Sequence, residues 1–414
     1  MHLEGMNIGV VGAGIAGLAT AAAFARRGAR VTVLERATAL KAIGAGIQIA
    51  PNGAAVLKAL GVEHRAAELG TPLHAVQMRD GLSDRLVLHL DLDRAGYPHP
   101  YRAFHRADLI DILAQAARAA GATITLGTDV MPQDLVSDTG AIAIPGSAGQ
   151  GRPVEMLVGA DGLRSGQQTD SPAGPRAGLR SHILGPETPR FTHHVAWRAT
   201  VPLLPGDTLA TDTRGLDSAR IYMAPGRHLV CYPLRARGLM NIVAVEERDD
   251  WLAEGWMQPA DPATLRAAFA DMCGPVRALL DRVEVSHIWG LFRHPVPPVW
   301  HRGAVGLIGD AVHPTLPFLA QGGNLALEAA WELPRAVQTA PTPQDAWSAF
   351  TAKRLARVRR AVAAADANAR LYHMGAGPLR TGLLGAMRLA GGLAPGLPLR
   401  KFDWLYRHDV TAPD

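Results

Sequence analysis

The sequence has 414 residues, of which 48% are hydrophobic and 19% are charged, and this length predicts two domains rather than one. Its 42 Lys and Arg residues nearly balance its 37 Asp and Glu residues and are dispersed, which argues against nucleic acid as a partner and leaves a mild bias toward anionic small molecules. Two cysteines, and histidines without the spacing of metal ligands, predict a reducing cytoplasm and no structural metal.

The first notable segment is an uncharged stretch of 18 residues, 8–25, which meets the minimum length of a membrane span. Its flanks lack a signal-peptide pattern, and the glycines between Gly9 and Gly17 are poorly suited to an isolated apolar helix. We therefore predict that this segment does not span a membrane and that its glycines have another purpose.

The same segment is the start of a strand–turn–helix–strand pattern. "NIGVV" and "VTVLER" are β-branched strands, and "LATAAAFARRG" between them is a good helix former. The turn carries the GxGxxG pattern of Gly12, Gly14 and Gly17, which permits a tight turn, close approach of a pyrophosphate, and close helix packing. The helix N-terminus would face the phosphates, and Glu35 at the end of the second strand would hold ribose hydroxyls. The pattern predicts dinucleotide binding, with NAD and FAD both open.

Four later motifs favour a flavin. Arg106 opens the helix in "FHRADLIDIL" and could reach the cofactor, while Asp161 ends the strand-like run "LVGADG". The strand "AVGLIGD" ends in Gly309 and Asp310, whose carboxylate can bond the hydroxyls of a polyol chain. A new helix then begins at "GGN" (322–324), and its positive end suits the negative charge that a reduced flavin gathers near N1.

The succession of GxGxxG, DG, and GD followed by HPxxP resembles the FAD-dependent aromatic hydroxylases, or group A flavoprotein monooxygenases, over nearly the whole chain. Shorter matches are "GAGIQIAPNG" (44–53), "AWRATVP" (196–202), "HLVCYPLR" (228–235) and "FDWLYRHD" (402–409). They are most similar to the salicylate, 3-hydroxybenzoate and 6-hydroxynicotinate hydroxylase branch. The chain departs from the family pattern at Ala320, where many members have glycine, at Ala329, where many have an acid, and at "GQQ" (166–168).

The resemblance implies an α/β fold: a Rossmann-like FAD-binding domain of the glutathione-reductase/p-hydroxybenzoate-hydroxylase type, with an inserted antiparallel β-sheet substrate domain and a C-terminal helical cap. We expect the FAD domain in 1–70, 100–185 and 288–370, the substrate sheet in 71–99 and 186–287, and the helical segment in 371–414. The cofactor contacts expected are Gly12, Gly14, Gly17, Glu35, Arg36, Gln48, Arg106, Val130, Asp161, Gly309, Asp310, Gly322, Gly323 and Asn324.

The resemblance also implies the chemistry. NADH or NADPH would reduce FAD, O2 would add at flavin C4a, and the hydroperoxide would deliver one oxygen atom to a small (hydroxy)aromatic or N-heteroaromatic acid, with or without decarboxylation. The choice between NADH and NADPH, and between monomer and homodimer, stays open. The expected partners are the aromatic substrate, O2 and NAD(P)H, in the cytoplasm.

His228, Tyr232 and Pro317 are the candidate catalytic residues. In "HLVCYP" the side chains of His228 and Tyr232 share one strand face, where they could deprotonate and hold a substrate hydroxyl. Pro317 resembles the proline whose carbonyl lies beside the reacting ring in this family. The alternatives are an idle, exposed histidine at a strand end and a proline that only stiffens its turn. Arg198 and Arg220 could meet a substrate carboxylate or could be surface arginines.

Three rival functions remain at this stage. A plain NAD-dependent dehydrogenase would leave the segment from Gly309 to Asn324 unexplained. A flavin-dependent halogenase shares the fold, but the "WxWxIP" pattern of that group is absent. A flavoprotein acting on a non-acid substrate, or a non-catalytic FAD-binding sensor or scaffold, also fits the motifs, and the sensor predicts a filled or blocked pocket above the flavin.

Overall fold

The architecture of the chain is that of an α/β protein with several sheets, as seen in a computed structural model. The structure describes residues 1–40, 45–135, 142–145, 151–163, 178–187, 189–250, 258–394 and 396–413. The predicted fold class is confirmed. Gly44 and the "GQQ" departure at 166–168 lie outside the described residues.

The strands, in chain order, are β1 (Asn7–Val11), β2 (Arg30–Glu35), β3 (Gly46–Ile49), β4 (Thr71–Pro72), β5 (Ala75–Asp80), β6 (Leu86–Asp91), β7 (Arg102–His105), β8 (Thr123–Leu126), β9 (Ile142–Pro145), β10 (Gly151–Val154), β11 (Met156–Gly159), β12 (Arg190–Pro202), β13 (Ser218–Ala224), β14 (Arg227–Leu234), β15 (Leu239–Glu247), β16 (Gln258–Ala260), β17 (Ser286–Arg293), β18 (His301–Arg302) and β19 (Val305–Leu307).

The α-helices are α1 (Ile15–Ala25), α2 (Pro51–Ala59), α3 (Glu63–Leu69), α4 (Leu92–Ala95), α5 (Arg106–Ala119), α6 (Leu179–Leu184), α7 (Pro262–Ala268), α8 (Gly274–Asp281), α9 (Gly322–Thr339), α10 (Pro343–Tyr372), α11 (Pro378–Leu393), α12 (Leu397–Arg400) and α13 (Asp403–Tyr406). Short 3₁₀ turns at Gly309–Ala311 and Pro317–Leu319 lie beside the start of α9.

Among the described residues, β18-β19-β11-β1-β2-β8 form a six-stranded sheet that is parallel except for the edge strand β18. Strands β1 and β11 are almost entirely buried because the sheet is covered by helices, and α1 contacts both α5 and α9. The carboxyl ends of β1, β2, β11 and β19 lie side by side, and in such sheets ligands bind at this edge.

The second large sheet has eight described strands in the order β16-β17-β12-β15-β14-β13-β5-β6. It draws on both segments expected to cover the flavin, and β17 carries it to Arg293, beyond the expected boundary at 287. Its pairs are antiparallel except for β13 and β5, which are parallel. That pair is not a hairpin, because the chain passes through the cofactor sheet between the two strands. One face of the sheet packs on α7 and α8, and the other faces the cofactor side.

The apolar stretch 8–25 divides into β1, a turn and the 11-residue helix α1. At 1.5 Å per residue this helix is far shorter than a bilayer. No helix within the described part of the chain combines the length and apolar character that a membrane span requires.

A buried ionic cluster joins α2, α9 and α10. Glu328 in α9 has no exposed surface, and its carboxylate accepts hydrogen bonds from Arg354 Nη2 (2.5 Å), Arg357 Nε (2.8 Å) and Asn52 Nδ2 (2.6 Å). Burial alone would raise the pKa of Glu328, but Arg354, Arg357 and Asn52 outweigh it and hold that pKa well below its ordinary value. The cluster fixes the first turns of α9 against the rest of the cofactor side.

We expect Glu328→Gln to lower the free energy of unfolding by about 3–5 kcal/mol, because it leaves the buried guanidinium of Arg354 and the mostly buried guanidinium of Arg357 without their counter-charge. Urea unfolding of the FAD-loaded protein would measure this loss. The matched control is Glu332→Gln one turn later in α9, whose partner Lys353 is half exposed and can turn to water, at a cost of about 0–1 kcal/mol. Equal losses in the two variants would contradict the prediction.

The same cluster predicts a pH dependence. Because the pKa of Glu328 is lower in the folded than in the unfolded chain, its stabilising contribution is full above its ordinary pKa of 4.5 and declines as the pH falls toward the folded-state value. The stability difference between wild type and Glu328→Gln should therefore be constant from pH 8 to about pH 5 and shrink below that.

Candidate active site

A cavity of about 390 Å³ lies where the carboxyl edge of the six-stranded sheet meets the eight-stranded sheet. Of the residues singled out from the sequence, those that line it are Gly12, Gly14, Glu35, Arg36, Gln48, Arg106, Asp161, Arg198, His228, Tyr232, Asp310, Pro317, Ala320, Gly322 and Gly323. Segments distant in the sequence thus meet around one elongated space.

The glycine-rich turn forms one end of this cavity. Gly12 has a φ of +103°, and a Cβ there would lie 2.4 Å from the carbonyl oxygen of Ala160. A Cβ on Gly17 would lie 1.9 Å from the carbonyl oxygen of Gly12, so both positions require glycine. A Cβ on Gly14 would instead meet no protein atom within 4 Å, and no side chain caps α1. The space beside Gly14 and the free amides of α1 suit a pyrophosphate.

Glu35 lies next to this turn at the end of β2. Its Oε2 accepts a hydrogen bond from Ala13 N–H (2.7 Å), and its Oε1 accepts one from Ala37 N–H (2.9 Å). These bonds hold the carboxylate at the cavity wall, with Arg36 beside it. The position is that of a group that binds ribose hydroxyls.

The other end of the cavity is built by Asp310 and the start of α9. Burial raises the pKa of Asp310, and the nearby Arg106 opposes that rise. No side chain caps α9, so its first amides at Gly322 and Gly323 face the cavity with the positive end of the helix. A Cβ on Gly323 would lie 2.9 Å from Ile47 Cδ1, which leaves little space for a larger residue. The carboxylate of Asp310 suits the polyol chain of FAD, and the positive end of α9 suits its flavin ring.

Four of the expected cofactor contacts do not line the cavity. Val130 is buried in the core, and Gly17 and Gly309 lie where helix and turn approach closely, since a Cβ on Gly309 would be 2.7 Å from Ala16 Cβ. Asn324 is fully buried and works as a clamp: its Oδ1 accepts from Ala50 N–H, and its Nδ2 donates to the carbonyl oxygens of Gln48 and Ala320. These residues shape the walls of the site and do not face its interior.

The side chain of Asn324 stabilises an unusual backbone conformation at Ala320. Ala320 has a φ of +51°, in the left-handed region where the resembling family often has glycine. Its carbonyl oxygen accepts the 2.7 Å hydrogen bond from Asn324, which holds the turn that follows Pro317. The departure from the family pattern is thus accommodated by a buried side-chain bond.

A second, smaller cavity of about 260 Å³ adjoins the first and is mostly apolar. The residues that line both cavities are Gln48, His228, Val230, Pro317 and Ala320. Much of the remaining wall was not predicted. It comes from β5, β6, the residue before β7, the 3₁₀ turn at Pro317–Leu319 and the C-terminal helices: Met78, Leu88, Leu90, Tyr101, Phe318, Asn368, Tyr372, Met387, Lys401, Phe402 and Tyr406. The tail match "FDWLYRHD" contains two of these residues and was the available signal.

His228 lies at the junction of the two cavities. Its side chain is 2% exposed, so it is not an exposed strand-end histidine. Burial, together with His373 and His194, lowers the pKa of His228 well below its ordinary value, and its imidazole is therefore neutral at physiological pH. Its Nδ1 lies 2.6 Å from His373 Nε2.

Pro317 shares this junction with His228, whereas Tyr232 lines only the larger cavity. Four residues along a strand span about 13 Å, so His228 and Tyr232 share a face without being neighbours. The Tyr232 ring packs against Gly46, where a Cβ would lie 2.8 Å from the phenolic oxygen. Burial raises the pKa of Tyr232 far above its ordinary value, which keeps the phenol protonated.

Arg198 and Arg220, the two candidate partners of a substrate carboxylate, differ in their position relative to the cavities. Arg220 donates to the carbonyl oxygens of Thr208 and Thr211 and does not line either cavity. Arg198 lines the larger cavity, with its guanidinium 4.9 Å from the centre of the Trp289 ring. Burial lowers the pKa of Arg198 to about 10, so it remains a cation at neutral pH.

The chain matches the FAD binding domain family over residues 6–365. It is 31% identical to a 3-amino-4-hydroxybenzoate 2-monooxygenase of Streptomyces platensis over 90% of each chain. It is 30% identical to 3-hydroxybenzoate 6-hydroxylase 1 of Aquipseudomonas alcaligenes over 98% of each chain. The structure of Klebsiella pneumoniae HpxO complexed with FAD and uric acid superposes with a TM-score of 0.77 at 25% identity over 95% of each chain. The chain therefore belongs to the FAD-dependent aromatic hydroxylases, a family of flavin-dependent monooxygenases.

Proposed function

We propose that this protein uses NADH or NADPH and O2 to hydroxylate a small (hydroxy)aromatic or N-heteroaromatic acid. The observation that carries the proposal is the junction of the two cavities, where a neutral buried histidine and a proline turn separate the cofactor space from a mostly apolar pocket. An FAD-binding sensor would be expected to have a filled or blocked pocket, and the smaller cavity is neither.

The residues that would hold FAD follow the length of the larger cavity. Gly12 and Gly14 with the start of α1 would bind the pyrophosphate, Glu35 the ribose, and Asp310 with Arg106 the polyol region. The first amides of α9 would face the flavin ring. When bound, FAD would take a hydride from NAD(P)H and activate O2, so that one oxygen atom can be transferred to an aromatic ring.

The smaller cavity would hold the substrate ring. Its walls are mainly Leu, Met and aromatic side chains, which exclude water and suit the two faces of a ring. Two cations are near enough to receive a carboxylate: Lys401 at the wall of the smaller cavity and Arg198 in the larger one. These cations support an acid as substrate, in keeping with the aromatic acids named in the two relatives.

His228 would take the proton of a substrate hydroxyl. A phenolate is a better nucleophile than a phenol, and a neutral imidazole at the wall of the pocket is a suitable acceptor. The carbonyl of Pro317, at the same junction, would lie beside the reacting ring. Tyr232, which stays protonated, would contribute from the cofactor side.

We also propose the cellular compartment in which the protein acts. Cys231 and Cys273 are both free and buried, which supports a reducing compartment such as the cytoplasm.

The direct test is the oxidation of NADH and of NADPH by the purified yellow protein with a panel of hydroxylated aromatic acids: salicylate, 3-hydroxybenzoate, 3-amino-4-hydroxybenzoate and 6-hydroxynicotinate. We expect one acid to stimulate the rate, with a product that has gained one oxygen atom by mass spectrometry. A yellow protein that no ring acid stimulates would contradict the acid substrate, and failure to take up FAD would contradict the whole proposal.

The cofactor site is tested by Gly14→Val. Because a Cβ at Gly14 meets no protein atom within 4 Å, the variant should fold with unchanged thermal stability in the FAD-free state. It should bind FAD at least about tenfold more weakly, since the new side chain takes the space of the pyrophosphate. The control is Gly382→Val on α11, another glycine with open space around it, which should leave FAD affinity unchanged. Equal affinities in the two variants would place the cofactor elsewhere.

The proposed base is tested by His228→Gln. We expect kcat for the stimulating hydroxy acid to fall about 10²–10⁴-fold at neutral pH, and the loss to shrink at high pH where the phenol ionises by itself. The wild type should keep its activity well below pH 6.5, because the pKa of His228 is lowered and the imidazole is still neutral there. His287→Gln, on the same sheet but lining neither cavity, is the control. Full activity of His228→Gln at neutral pH would exclude this role.

A further inference from the structure

A row of three titratable side chains leads from the smaller cavity to the protein surface. His228 Nδ1 lies 2.6 Å from His373 Nε2, and His373 Nδ1 lies 3.2 Å from Glu247 Oε1. The two histidines are buried, while the side chain of Glu247 is 51% exposed. The row therefore begins at the wall of the pocket and ends in solvent.

These contacts determine which nitrogen carries the proton in each ring. An ionised carboxylate can only accept a hydrogen bond, so His373 Nδ1 must be the donor to Glu247. His373 Nε2 is then unprotonated and must accept a hydrogen bond from His228 Nδ1. It follows that His228 Nε2 carries a lone pair. Among the residues that the structure describes, no protein group is bonded to that Nε2, and His228 lines both cavities.

We propose that His373 and Glu247 form, with His228, a path that carries the substrate proton out of the pocket. The inference rests on the proposed function, because it takes His228 to be the group that accepts the proton. His373 and Glu247 act through His228 and do not line the cavities, so they are positioning and conducting residues.

The path moves one proton without leaving a charge on either histidine; the negative charge stays on the substrate oxygen. The hydroxyl proton of the substrate passes to His228 Nε2 as the Nδ1 proton of His228 passes to His373 Nε2. The Nδ1 proton of His373 passes to Glu247, which releases it to water. The O–H bond of the substrate is broken, its electron pair stays on oxygen, and both imidazoles end neutral with the proton on Nε2. Return of a proton to the oxygen of the product runs the path backwards and restores both rings.

The surroundings favour this concerted transfer over a charged intermediate. Burial, with His194 and Arg227, lowers the pKa of His373 to about 3, so neither ring is stable as an imidazolium. The other groups facing the pair are Tyr372 and Phe318, whose rings are 5.2 Å and 5.3 Å from that of His228. His194 lies beside the path but is held by its Nδ1 on the carbonyl oxygen of Thr192 (2.6 Å), with its Nε2 3.9 Å from Glu247. Arg293 and His193 act on His194 from further out.

The first test needs neither substrate nor turnover. In ¹⁵N NMR spectra of the FAD-loaded protein with labelled histidine, His228 and His373 should both appear as neutral rings protonated on Nδ1. Their signals are assigned by their absence from His228→Gln and His373→Gln. A ring protonated on Nε2 at either position would overturn the path, whatever the outcome of the substrate panel.

The second test uses the acid that stimulates NAD(P)H oxidation. Glutamine at 373 can still accept the hydrogen bond from His228 but cannot relay a proton, whereas phenylalanine can do neither. We expect both His373→Gln and His373→Phe to lower kcat about tenfold or more near pH 6.5, with KM changed less than about twofold. Glu247→Gln should have a smaller effect in the same direction, because water can replace it at the surface.

Chemical rescue and a control variant distinguish proton conduction by His373 from a purely structural role of that residue. Added imidazole should restore part of the rate of His373→Gln and none of the rate of a merely destabilised variant. His193→Asn is the control: His193 is exposed, pairs with Asp249, and has a φ of +57° that asparagine tolerates. It should behave as wild type. Wild-type kcat and pH profile in His373→Gln, with loss only in His373→Phe, would show that His373 only positions His228 and would overturn the conducting role.

A bound cation is the remaining alternative that the experiment must separate. His194, Glu247 and His373 bring one ligand atom each to within 4.8 Å of one another. A metal on His373 Nδ1 would displace its proton and stop the path. Loss of activity after treatment with EDTA, with a metal found in the purified protein, would therefore overturn the proposal. Full activity of metal-free protein supports it.

Discussion

The parallel pairing of β1 with β2 and β11, and of β11 with β19, is the constraint on which the site depends. The registers Val11↔Leu34, Val11↔Gly159 and Gly159↔Leu307 bring the carboxyl ends of the strands to one line. The groups at or just after those ends are a glycine turn, Glu35 and two aspartates. Their meeting at one edge is a consequence of the pairing, because parallel strands all release their chains on the same side.

Two buried polar networks then serve different purposes. The Glu328 cluster is a closed set of opposite charges, whose strong pairing makes it rigid and fixes α9 where its N-terminus faces the cofactor space. The row from His228 to Glu247 consists of neutral rings and reaches the surface. A closed ion cluster resists protonation, whereas neutral imidazoles with one donor and one acceptor each can exchange a proton at little cost.

The pocket is completed by parts of the chain that are far apart in sequence. The parallel pair β5–β13 inserts the segment 71–99 into the sheet formed by 186–287, and the helices after Tyr372 close the opposite side. The resulting walls are apolar on several sides. In the proposed path, Glu247 at the exposed end of the row releases the proton to solvent.

The sequence by itself determined the family, the dinucleotide turn and most of the cofactor wall, because these depend on short patterns in which glycine, a strand end and an acid stand at defined spacings. Through motifs that resemble those of the family, the sequence also pointed to His228 and Pro317, and both lie at the junction of the two cavities. It did not show that the Asn324 side chain donates to the backbone carbonyls of Gln48 and Ala320, since that depends on how distant segments pack.

Only the tertiary structure decided the pocket and the row behind it. His228 and Glu247 lie on the paired strands β14 and β15, but His373 follows the end of α10, 126 residues after Glu247, and no local pattern relates it to the other two. Their contact arises because the C-terminal end of α10 packs against the β13–β14 turn, where the backbone of Gly226 bonds to that of His373. Side-chain contacts of this kind depend on packing between elements, which periodicity and spacing within each element do not encode.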